Sequence, residues 1–262
     1  MGIRDSWCDL RLWQMHVCGI AEGEGPLRRD LRRFFERQHV KVIAVMDEEG
    51  DVPDVVVERV FTRESKDRLA ATAMPHIVRA VERRGDEAVR LVFEVGMPAG
   101  PEAPAFNLAD PNVVRLLERK EMLIRNVDDA TKQNIRRTLV EGYNKGETHR
   151  QLTERVNKYM SHTEQHRSRT IARHEINSAN NGAAHEGYRQ MGIPQERWIW
   201  SGSADTREDG SGRLPHQEAD GQIVNLDDVF TVWDEGLQYP GDPAGRAANV
   251  IGCLCTVSPV VV

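Results

Sequence analysis

The hydrophobic pattern of this chain changes its period near residue 192, and that change limits what each part can become. Up to Met191, apolar residues recur every three or four positions, the repeat of helices that pack by one face. In LRRDLRRFFERQHVKVIAVM (27–46), Leu27, Leu31, Phe34, Phe35, Val42 and Val45 form such a stripe. From Arg197 onward the pattern shortens to alternation. Trp198 and Trp200 flank Ile199, and QIVNL, VFTVW and CLCTVSPVVV are further short strand candidates. The expected class is α+β, with long helices over the N-terminal two-thirds and a small C-terminal domain of short antiparallel strands.

Proline and glycine set the expected divisions. Residues 1–26 read as an irregular N-terminal arm ending in AEGEGP, with Pro26 opening the first helix. A helical domain is expected over 27–104, broken at Pro75. Pro98, Pro101, Pro104 and Pro111 make 96–111 the best linker candidate. A helical connector should fill 105–162. Within it, Asp128 or Asp129 is expected to cap a helix that Gly142 and Gly146 close, and Thr148 to cap the next. The last helix should run from about Thr163 to Met191, stopped by Gly192, and the C-terminal domain should span 163–262.

With 262 residues, 39% hydrophobic and 29% charged, the chain can bury a sizeable core and is not globally disordered. A net charge of −6 argues against general coating of nucleic acid, but it permits a local basic face. Arg28, Arg29, Arg32, Arg33, Arg37 and Lys41 load one face of the first helix. That face is either a solvated surface or a contact for DNA phosphates or an acidic partner. No apolar run approaches the roughly 18–20 residues of a membrane span, and the N-terminus lacks the clean apolar stretch of a secretory signal. Gly2 fits the loose myristoylation pattern. Cys8, Cys18, Cys253 and Cys255 are too few for a disulfide scaffold in a chain this long and fit a reducing environment.

Chemistry concentrates in the C-terminal part. On the 163–191 helix, Arg169, Arg173, Asn177, Asn180 and Asn181 share a polar side, while small residues such as Ala179 and Ala183 allow close approach of a neighbour. Buried charges need partners. The expectation is a structural polar network of Arg173, Glu175, Asp205, Arg207 and Asp220 that fixes this helix to the β unit. His216, Cys253 and Cys255 offer three soft ligands, with Asp205 or His174 as a fourth, a set that suits a structural zinc. Because CxC presents thiolates less readily than CxxC, a metal-free, hydrogen-bonded His with two buried thiols is the competing reading, and no other cofactor is expected. His216 with Asp205 also suggests a metal-dependent nuclease, although no further His or Asn follows a later helix as that chemistry requires. Cys253 with His216 suggests a thiol nucleophile and base. GSADTREDGSG lacks the ending of a phosphate-binding loop. His162 and His166 lack the adjacent Glu of the HExxH motif and should be exposed.

Four pieces stand in a telling order: IARHEINSANNGAAHEGYRQMGI (171–193), ERWIWSGSADTRED (196–209), LPHQEADGQIV (214–224) and YPGDPAGRAANVIGCLCTV (239–257). Together they resemble the C-terminal domain of the phage Mu F-like head-morphogenesis proteins. The family's Ala-Arg-Thr-Glu stretch reads Ala172-Arg173-His174-Glu175 here. Its Trp and Asp/Arg segment looks like Trp198, Trp200, Asp205 and Arg207. Its His before an Asp-Gly turn matches His216 and Asp220-Gly221, and its Cys-Arg-Cys reads Cys253-Leu254-Cys255. Leu254 for Arg, Gly252 for Asn and the longer REDGSGRLPH segment are departures. The resemblance extends more weakly upstream over 27–257. It implies a non-enzymatic minor head protein of a tailed phage. Such a protein sits in the virion, is assembled in the host cytoplasm, and has the portal protein, the major capsid protein and packaged double-stranded DNA as partners, with no membrane. The alternative from the residues is a metal-dependent nuclease or toxin-like enzyme built on His216 and the CxC.

Overall fold

The computed structural model describes residues 3–96, 103–200 and 216–261. Helices α1 (Ile3–Glu49), α2 (Pro53–Val60), α3 (Arg63–Gly96), α4 (Pro111–Asn144) and α5 (His149–His162) come first. A π-helical turn, Thr163–Arg167, leads into α6 (Ser168–Gln190). Strands β1 (Gln195–Ile199), β2 (Ile223–Asn225), β3 (Phe230–Val232), β4 (Glu235–Leu237) and β5 (Thr256–Val260) follow, with a short α7 (Ala247–Val250) before the last. The α+β class is as expected: long helices first, then short antiparallel strands.

The strands make two small sheets. β1 is central in the first, antiparallel to β2 and β5 in the order β2-β1-β5. β3 and β4 form a hairpin, with Val232 opposite Glu235 across a two-residue connection. Trp233 there adopts φ of 59°, a left-handed conformation unusual for a bulky residue.

Packing sorts the chain into two compact units that interleave along the sequence. One comprises Met1–Glu24, His76–Leu117 and Arg173–Val262, and the other Gly25–Pro75 and Glu118–Ala172. The chain therefore does not pack as the sequential blocks 27–104, 105–162 and 163–262. α1, α3, α4 and α6 each contribute to both units.

Two expected helix breaks are absent. The helix runs through Pro26, so residues 3–25 are helical and not an irregular arm, and it also runs through Pro75. Proline removes one amide donor and crowds the preceding turn, but burial outweighs that here. Leu12, Ile20, Leu27 and Leu31 are all buried along α1, and Leu69, Ala73, Ile77 and Ala80 along α3. Both prolines instead lie where the packing passes from one unit to the other. α4 likewise runs unbroken through Asp128, which is no cap. Asp128 is buried and accepts from Gln38 Nε2 and, at 3.3 Å, from Ser65 Oγ. Burial raises its pKa above the usual carboxylate range.

The unit of Gly25–Pro75 and Glu118–Ala172 holds an aliphatic core of Val42, Val45, Met46, Val56, Val57, Val60, Phe61, Ile135, Leu139, Leu152, Val156 and Met160. Its helix ends follow local rules. Gly50 and Gly146 take positive φ after α1 and α4. Thr148 opens α5 in a capping box, its amide donating to Gln151 Oε1 at 2.8 Å. His162 and His166 are exposed and stacked on each other, with ring centroids 4.8 Å apart.

Candidate functional site

α6 is the axis of the other unit. An ordinary surface helix buries one stripe, but every residue from Glu175 to His185 is buried here, including Asn177, Ser178, Asn180 and Asn181. A helix enclosed on all sides must satisfy its polar side chains within the protein. Asn177, Ser178 and Asn181 do so by reaching different neighbours, whereas the Asn180 amide makes no side-chain hydrogen bond among the described residues.

Toward α1, Asn177 Oδ1 accepts from His16 Nε2 at 2.8 Å, and Arg173 Nε donates to Glu24 at 2.9 Å. Toward the C-terminal strands, Ser178 Oγ donates to Gly241 O at 2.5 Å. Asn181 Nδ2 donates to Pro240 O at 3.0 Å and to Cys255 O at 2.9 Å, and Tyr188 Oη donates to Val257 O at 3.2 Å. His185 Nδ1 lies 3.0 Å from Glu196 Oε1 on β1. Arg189, which can only donate, approaches His185 Nε2 at 3.1 Å. His185 Nδ1 therefore carries a proton and donates a hydrogen bond to Glu196, a fully buried carboxylate whose pKa burial raises.

Among the described residues, the helix is thus held to the β unit by Ser178, Asn181, His185 and Tyr188. Arg173 pairs with Glu24 because its position on α6 faces α1. Glu175 is buried, with His174 Nε2 4.0 Å away. Asp220 accepts from the Trp200 amide at 2.9 Å, tying the end of β1 to the turn before β2 in which Gly221 has φ of 79°. Asp205 and Arg207 lie outside the described residues. Ser178, His185, Tyr188 and Glu196 were missed. The i, i+3 spacing of His185 and Tyr188 on the buried side was the available signal.

His16 is fully buried, and its pKa is lowered to about 3, first by burial and then by the Arg84 and Arg83 charges, against the Asn177 hydrogen bond. A histidine held neutral in the fold but free to protonate when unfolded favours folding above its ordinary value. That stability is lost as pH falls from 6.5 toward 3. Between pH 7 and 5 the wild-type chain should lose about 2 kcal/mol more stability in urea unfolding than His16→Gln. Equal losses in the two proteins would refute this.

The second cluster joins the start of a 3-10 turn (Gln217–Ala219) to the segment before β5. His216 Nδ1 lies 3.4 Å from Cys253 Sγ and 3.7 Å from Cys255 Sγ. All three residues are buried, and their ligand atoms lie within 4.8 Å of one another. Gly252, with φ of 79°, turns the chain so that both sulfurs reach the same side. Trp198 packs edge-on against the imidazole at 5.5 Å and against Phe230 at 5.2 Å, giving the cluster an aromatic wall. His216 Nε2 bonds Asn249 Oδ1 at 2.6 Å. Asn249, four residues ahead of Cys253 and six ahead of Cys255, was not singled out from the sequence.

The six basic residues of α1 are all exposed. Arg32 and Arg33 pair with Glu36 and Asp30 on their own helix. Arg37 and Lys41, with Arg68 of α3, line a small cleft floored by Phe34 and Val60. Among the described residues, no helix is long and apolar enough to cross a membrane.

These features define a helical protein that ends in a compact β unit carrying a buried His-Cys-Cys cluster. Residues 133–258 match the family model for Phage Mu protein F like protein, so over that stretch the chain is similar to the Mu F-like head-morphogenesis family. A stretch of 107 residues, 40% of this chain, is 30% identical to an uncharacterized protein, YqbB, of Bacillus subtilis (strain 168). The match covers 34% of that relative, so the chain spans about a third of its length. No solved structure matches.

Proposed function

We propose that this chain is a minor, non-enzymatic structural protein of a tailed-phage head, acting in head assembly, DNA packaging or ejection at the portal or the inner capsid surface. The observation that carries the reading is the Mu F-like match over 133–258, which spans α6 and the β unit. The architecture supports it. Ser178 and Asn181 of α6 are spent on backbone carbonyls of the C-terminal segment and Asn177 on α1, as in a rigid building block. In this reading the exposed row Arg28, Arg29, Arg32, Arg33, Arg37 and Lys41 meets the portal, the major capsid protein or packaged DNA.

The test is incorporation into heads assembled by the full set of head genes. A chain with Arg28→Glu, Arg37→Glu and Lys41→Glu should fold normally, since all three side chains are exposed, yet enter heads at about a tenth of the wild-type level or less. Unchanged incorporation would remove the basic face from the account. Absence of the wild-type chain from heads would remove the function. The rival is a metal-dependent nuclease. Turnover of DNA or RNA with Mg²⁺, Mn²⁺ or Zn²⁺ that disappears in His216→Ala would establish it instead.

A further inference from the structure

We propose that His216 Nδ1, Cys253 Sγ and Cys255 Sγ bind a zinc ion that pins the segment before β5 to the 3-10 turn. Tetrahedral zinc with Zn–S near 2.3 Å and Zn–N near 2.0–2.1 Å requires N–S edges of about 3.6 Å. The two edges in the fold are 3.4 and 3.7 Å.

The hydrogen bonds behind the histidine prepare it for this role. Asn249 Nδ2 donates to Val232 O at 3.2 Å and to Glu235 Oε2 at 2.8 Å, and both of those groups only accept. The amide is thereby oriented with its oxygen toward His216, so His216 Nε2 must carry the proton of the 2.6 Å bond. Nδ1 is then unprotonated, and its lone pair faces both sulfurs. Glu235 is itself held by Arg246 Nε at 2.5 Å. Metal-binding histidines are ordinarily oriented in this way by a group behind the ring.

A purely hydrogen-bonded cluster uses less of the arrangement. A thiol–imidazole hydrogen bond needs only one sulfur near Nδ1, whereas both lie within 3.7 Å of it, the convergence that a shared metal requires. Two thiolates and an imidazole select zinc over harder cations. With relative exposures of 1% for His216, 1% for Cys253 and 0% for Cys255, the site is structural, not open to substrate. The three donors are those among the described residues, and the fourth position falls to water or another donor.

The experiment uses the full chain, purified without a metal-affinity tag, loaded with zinc and dialysed. The expected result is one tightly held zinc per chain by elemental analysis. Co²⁺ in its place should give tetrahedral visible bands and a thiolate charge-transfer band. Cys253→Ser and Cys255→Ser should each lower retained zinc at least about tenfold, Asn249→Ala should weaken zinc affinity about 10–100-fold, and Cys18→Ser should change nothing. If the serine variants do not fold, the wild-type chain decides alone: chelation must lower its melting temperature and zinc must restore it. A folded wild-type chain that retains no zinc, shows no thiolate–cobalt band and melts identically with chelator overturns the proposal. Either outcome is independent of whether the chain enters heads.

Discussion

Replacing Asn181 with Ala should destabilise the unit built on α6 by about 3 kcal/mol, more than Ser178→Ala or Tyr188→Phe on the same helix. One side-chain nitrogen donates to two carbonyls, of Pro240 and Cys255, in segments 15 residues apart in the chain but both pressed on α6. Removing it forfeits two hydrogen bonds and leaves two acceptors without that donor, and an unsatisfied buried group costs about 1–3 kcal/mol. Ser178→Ala and Tyr188→Phe remove one bond each, to Gly241 O and Val257 O, and should cost about 1 kcal/mol apiece. Urea unfolding of the three variants gives the ranking. If Asn181→Ala fell among the single-bond variants, the shared donor would not matter.

The second large effect concerns Gly187. Glycine inside a helix is ordinarily worse than alanine by about 1 kcal/mol, so a Gly187→Ala substitution judged by propensity alone should stabilise. Packing reverses the sign. A Cβ at this position would lie 2.8 Å from the Ala88 Cβ and 3.2 Å from the Gly85 carbonyl of α3. One of these neighbours is backbone, which cannot move aside as a flexible side-chain tip does. Gly187→Ala should therefore cost about 1–3 kcal/mol, and Gly187→Leu, which must separate α3 from α6, about 3–5 kcal/mol or enough to prevent folding of this unit. A melting temperature for Gly187→Ala at or above that of wild type would show that the two helices are not in such close contact.

These two positions mark what the sequence disclosed and what it hid. The small residues of α6 signalled a close neighbour, and Asn181 stood on the expected polar side. Gly192 stopped the helix as expected, with φ of 69°. β1, β2, β3 and β5 lay within the alternating segments. β4 escaped notice because Glu235–Leu237 has a glycine at its centre and too few residues to show a period. It exists because the hairpin at Trp233 and Asp234 returns the chain against β3.

The misread features share one cause: local signals were given weight that distant packing overrides. Pro26 and Pro75 are breakers by local chemistry, yet the stripe on either side of each is buried. Asp128 resembles a cap, but Gln38 and Ser65, far away in sequence, hold it. Arg173 was matched with acids of the β unit because those lay nearby in the C-terminal sequence, whereas its partner Glu24 lies 149 positions away. The His216, Cys253 and Cys255 grouping was legible from residue chemistry. Asn249, which sets the histidine's proton, was not, since an asparagine in AANV carries no pattern of its own.

Native-state hydrogen exchange tests most directly whether α6 and the terminal strands are one cooperative body. The amides of α6 between Asn177 and Tyr188 and those of β1 and β5 should exchange through a shared opening of the same free energy, and Asn181→Ala should lower both by the same amount. Exchange of β1 and β5 through a separate, lower-energy opening that Asn181→Ala leaves unmoved would contradict the account.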